Sequence, residues 1–63
     1  MCMATVYLKQ TSGRKVLLEE VAYVQREGTG LLLKPLFGEQ RHVRAAIREI
    51  DFLNSTVLLE EAE

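Results

Sequence analysis

Short stretches of alternating apolar side chains, each closed by a tight turn and none joined to the next by a long crossover, limit the folds open to this chain. Residues 1–8 alternate as a strand does, with Cys2, Ala4, Val6 and Leu8 on one face and Met3, Thr5 and Tyr7 on the other. The Cys2 face is the one expected to look inward. Gln10, Thr11, Ser12, Gly13 and Arg14 have turn composition, and residues 15–18 resume as a second strand, so the start of the chain reads as a hairpin. Residues 21–27 form a third strand and Gly28, Thr29 and Gly30 the turn that reverses it. Residues 31–37 form a fourth strand, which Pro35 confines to an edge or bends, because proline cannot donate to a sheet ladder. Leu31, Leu32 and Leu33 leave both faces of that strand apolar, which in a small protein points to contact with another chain.

The second half is less uniform. Val43, Ala46, Ile47 and Ile50 fit one face of a helix, but residues 50–53 run through Asn54 and Ser55 into residues 56–60 as a hairpin. The reading is a loop or short helical turn over residues 41–46, then strands at 47–53 and 56–60. About six short strands predict an all-β protein, a small antiparallel sheet curled into a barrel or small sandwich. Residues 1–60 make one domain and residues 61–63 an acidic tail.

With 63 residues, of which 48% are apolar and 27% charged, the chain is ordinary globular material but can bury only a thin core. Domains of this size draw stability from disulfides, a metal or self-association. A single cysteine removes the first of these. Net charge is −1, so no global field would hold a phosphate backbone. The charges are segregated, however: all eight Lys and Arg lie in residues 1–48, and residues 49–63 carry four Glu and one Asp without a base. No basic segment precedes an apolar run, and the longest nearly apolar run, residues 1–8, is too short to span a bilayer. A cytoplasmic location is the expectation, and a reducing compartment suits a lone thiol.

The start of the chain carries the sharpest chemistry. The terminal amine of Met1, the amide nitrogen of Cys2 and the Cys2 sulfur can close two fused five-membered rings on one metal ion. Nickel(II) and copper(II) suit that tetragonal nitrogen and sulfur set better than zinc, which prefers a tetrahedron. Were Met1 removed, Cys2 would still chelate through its own amine and thiolate. A two-fold dimer would bring two thiolates and two amines around one site and tie metal binding to dimerisation. The alternative is a Cys2 that only packs beside Ala4, Val6 and Leu8, as free cysteines often do.

Met1-Cys2-Met3-Ala4, the Ser12-Gly13 turn, Leu36-Phe37-Gly38-Glu39 and Ile50-Asp51-Phe52-Leu53 together resemble the CooT-type small nickel-binding proteins, over essentially the whole chain. The resemblance implies a homodimeric Sm-like or SH3-like β-barrel that binds nickel(II) through the cysteine at position two, here Cys2. It also implies a partner in the maturation of a nickel enzyme such as carbon monoxide dehydrogenase. Related sequences have been labelled RNA-binding, which agrees with a second class of function: an Sm-like module using Arg41, Arg44 and Arg48, with Arg14 and Lys15 nearby. Against it, Tyr7, Tyr23, Phe37 and Phe52 are the only aromatic platforms, and both phenylalanines read as core. His42, the one histidine, stands between Arg41 and Arg44 and reads as an exposed loop residue, although it is the only other nitrogen ligand a metal could find. With one cysteine, one histidine and one aspartate the chain assembles no catalytic triad and no carboxylate pair, so it is not expected to be an enzyme.

Overall fold

The computed structural model describes residues 3–61. They form six strands: β1 (Ala4–Gln10), β2 (Gly13–Glu27), β3 (Gly30–Pro35), β4 (Arg41–Val43), β5 (Ala45–Asp51) and β6 (Thr56–Glu61). One sheet holds them all in the order β4-β3-β2-β1-β6-β5, curled into a half-barrel of 31 × 25 × 16 Å. The all-β reading stands, and no helix occurs among the described residues.

The sheet is mixed rather than wholly antiparallel, because β6 runs parallel to β1, from Thr5↔Thr56 to Leu8↔Leu59. The connections explain this. Each of the first three links reverses the chain, but only Arg44 separates β4 from β5, which leaves no room for a reversing turn. β5 therefore keeps the sense of β4, the turn at residues 52–55 reverses it once, and β6 arrives with the sense of β1.

Two expected strands, 15–18 and 21–27, are halves of the single strand β2. Its first part pairs with β1, from Gln10↔Gly13 to Ala4↔Val21, and its second with β3, from Val21↔Pro35 to Glu27↔Gly30. The change of partner is made at a bend, where Glu20 takes a left-handed φ of 54° and both ladders slip register. The Glu20 carbonyl accepts from the Leu36 amide at 2.8 Å, tying the far end of β3 to the bend. Pro35 is tolerated at the last position of β3, beyond the stretch Leu31–Leu33 that β4 covers.

The helical turn expected over residues 41–46 is absent. Arg41, His42 and Val43 pair with Leu33, Leu32 and Leu31 as β4, and β5 begins at Ala45. Ladder bonds to an already apolar strand outweigh the weak helical periodicity there. β6 extends through Glu61, which pairs with Ala45, so that residue belongs to the sheet. Ala62 and Glu63 lie outside the described residues.

The core sits on the concave face: Val6, Val21, Leu31, Leu33, Ala45, Val57 and Leu59, with Ala4, Leu8, Leu17, Leu18, Val24 and Val43 packed against it. Ala4, Val6 and Leu8 share the inward face as their alternation requires. Leu32 points away from this cluster yet is only 5% exposed, so Leu31–Leu33 are buried by the chain itself rather than left bare for another.

Candidate metal site and its surroundings

Cys2 and Met1, the two residues expected to hold a metal, lie outside the described residues. The description begins at Met3, half-buried and followed at once by β1. Met3 lines an apolar cleft of about 250 Å³ with Ala4, Val21, Tyr23, Ile50 and Phe52. The surroundings of Met3 are therefore built by β1, by the bend of β2 and by the turn after β5.

That turn is held by one carboxylate. Asp51 accepts from the amides of Leu53 at 3.0 Å and Asn54 at 3.1 Å, and from Asn54 Nδ2 at 2.8 Å. The Asn54 side chain first, then the backbone donors, hold its carboxyl below the usual carboxylate value. Ser55 completes the reversal with a φ of 55°, and Thr5 N donates to its carbonyl at 3.0 Å. The only aspartate of the chain is thus a turn-forming group facing solvent.

Among the described residues no three His, Cys, Asp or Glu side chains come together as a metal site. His42 is exposed, as expected, but on strand β4 rather than a loop, and its Nε2 lies 2.9 Å from Glu27 Oε1 across the sheet. That pair offers one nitrogen and one oxygen with no third ligand among the described residues.

Four of the eight basic side chains are engaged within the chain. Arg14 stacks over the Tyr7 ring at 4.2 Å and Lys34 over Tyr23 at 4.8 Å, so both tyrosines are covered by cations of this chain. Arg41 Nη1 donates to the Leu17 carbonyl at 2.9 Å, and Arg48 lies 3.5 Å from Glu60. Arg41 sits on β4 and Arg48 on β5, with Arg44 between the two strands.

The two phenylalanines correct the reading that put them in the core. Phe37 is 78% and Phe52 87% exposed, with Leu53 at 92%. Each follows the end of a strand, Phe37 after β3 and Phe52 after β5, where no partner strand remains to cover it. Apolar neighbours in sequence say nothing about the end of a strand.

A half-barrel of this size with a thiol at residue two is a small β module of the kind that serves other proteins. The family described as CO dehydrogenase accessory protein CooT matches residues 1–60, and the chain belongs to that family. Its architecture agrees: a crystal structure of a protein assigned as CooT from Carboxydothermus hydrogenoformans superposes with a TM-score of 0.91 at 26% identity, covering 98% of this chain and 100% of that one. No curated protein matches the sequence.

Proposed function

We propose that this chain is a cytoplasmic nickel(II)-binding accessory protein that acts as a homodimer and passes its metal to a nickel enzyme of the carbon monoxide dehydrogenase kind. Nickel is cargo in this reading. The Cys2 thiolate is the principal ligand and the amine of Met1 its companion. The observation that carries the reading is membership of an accessory family matched from residue 1, in a chain whose one cysteine stands at position two. A thiolate and an amine joined by a single peptide unit suit nickel(II) better than zinc(II). No helix among the described residues is long and apolar enough to cross a membrane, which is compatible with that location.

Titration with nickel(II) tests the proposal. A thiolate-to-nickel charge-transfer band should appear in the wild type and be lost in Cys2→Ser; a band that persists in the variant would reject it. Binding should weaken as pH falls, because the thiol must release its proton to coordinate. Residues added ahead of Met1 should also weaken it, by removing the amine.

A further inference from the structure

Strand β5 pairs with β6 on one side and forms no ladder on the other, although it approaches β3. Its inward face belongs to the core, because Ile47 lies opposite Leu59 and Ile50 opposite Val57, and residues directly across an antiparallel pair share a face. Leu59 and Val57 are 0% and 7% exposed, whereas Ile47 and Ile50 keep 44% and 46%. Two isoleucines that face the interior therefore stand at an uncovered margin. Ile47 lines one cleft with Val24, Leu31 and Ala45, and Ile50 lines another with Val21 and Val24, so the clefts meet at Val24 and follow one side of β5. An unpaired edge carrying apolar side chains is a template for another strand.

The residues of β5 say which strand fits. Arg48 has no partner between Ile47↔Leu59 and Glu49↔Leu58, a bulge that turns Arg48 and Glu49 to the same outer face. Arg48 reaches Glu60, which lies on that face opposite Ala46. Along residues 46–51 the side chains thus run outer, inner, outer, outer, inner, outer, the same in either direction. A regular strand pairs with its own copy only about an axis through a residue, which sets a side chain against itself. The bulge moves the axis between Arg48 and Glu49. Ile47 then meets the partner's Ile50 on the inner face, and Arg48 meets the partner's Glu49 on the outer face.

We propose that β5 is the self-association edge of this chain, pairing antiparallel with β5 of a second copy in that register. The inference rests on the homodimer of the proposed function and supplies its interface.

Light scattering on the metal-free full-length protein tests it. Wild type should have the mass of a dimer. Arg48→Glu or Glu49→Arg alone sets like charges opposite one another twice and should raise the dimer Kd about tenfold or more. An equimolar mixture of the two single variants, and the double variant R48E/E49R, should recover the dimer. Cross-linking covers a charge variant that fails to fold: in a Cys2→Ala background, oxidation of mixed Ile47→Cys and Ile50→Cys chains should give several times more covalent dimer than either alone. A dimer indifferent to both charge changes, or no preferential cross-link in the mixture, overturns the proposed edge while leaving self-association standing. A monomeric wild type overturns both, and leaves the β5 edge open to a different partner. The nickel charge-transfer band of Arg48→Glu is read separately, so failure of the interface and failure of the metal reading are distinguishable.

Discussion

Asp51 shows how much one side chain can fix. Its carboxylate accepts three hydrogen bonds that close the turn between β5 and β6, and those bonds favour its charged form over the ordinary value of 3.8. A carboxyl whose value is depressed on folding contributes stability above its unfolded value and loses it as pH falls through the folded one. Asp51→Ala should therefore melt a few degrees lower than wild type at neutral pH, and the difference should close below about pH 3.8, as followed by thermal melts across pH. The neighbouring residues carry the opposite expectation. Because Phe52 and Leu53 are 87% and 92% exposed, changing either to Ser should alter the free energy of unfolding in urea by no more than about 0.5 kcal/mol. Read from sequence, Phe52 looked like core because Ile50 and Leu53 flank it; its exposure is decided by the turn that Asp51 ties, a contact that hydrophobicity does not encode.

Among the elements, β1, the hairpin turn at Gly28–Gly30 and the β5–β6 hairpin were legible, since alternation and turn chemistry act locally. β2 was legible only in halves. Glu19 and Glu20 look like a break, yet the strand continues through them by exchanging β1 for β3 as its partner, a long-range event no local pattern announces. The helix-like spacing of Ile47 and Ile50, read as a strand from the hairpin that follows, has its own cause: the bulge at Arg48 inserts one residue and returns an apolar side chain to the same face after three positions instead of two. The passage from β4 to β5 depends on a glycine. A Cβ on Gly30 would collide with the Val43 carbonyl oxygen, a backbone atom that cannot rotate away. Gly30→Ala should cost roughly 1–3 kcal/mol in denaturant unfolding, while Gly28→Ala, whose Cβ meets nothing within 4 Å, should pay only for its left-handed φ of 58°.

At the scale of the molecule, family membership was readable from motifs spread along the whole chain, and the all-β class from its turns, whereas the strand order needed the sheet itself. Strand order is also what bears on stability. Among the described residues eight side chains form the buried set, and the open margin along β5 leaves Ile47 and Ile50 half in water. A chain of 63 residues ordered at about 1–2 kcal/mol of backbone entropy per residue has little surplus, so closing that margin against a second copy should be part of what keeps it folded. If unfolding and dissociation are one event, mass action requires the melting temperature to rise with protein concentration. Each tenfold increase adds about 1.4 kcal/mol per dimer, or roughly 0.7 kcal/mol per chain, which for a domain of this size corresponds to about 3–6 °C. Melts of metal-free protein over a hundredfold range of concentration should show that drift, and Arg48→Glu should melt lower than wild type at every concentration. A melting temperature that stays constant would mean that the half-barrel is stable alone, with its β5 margin bare.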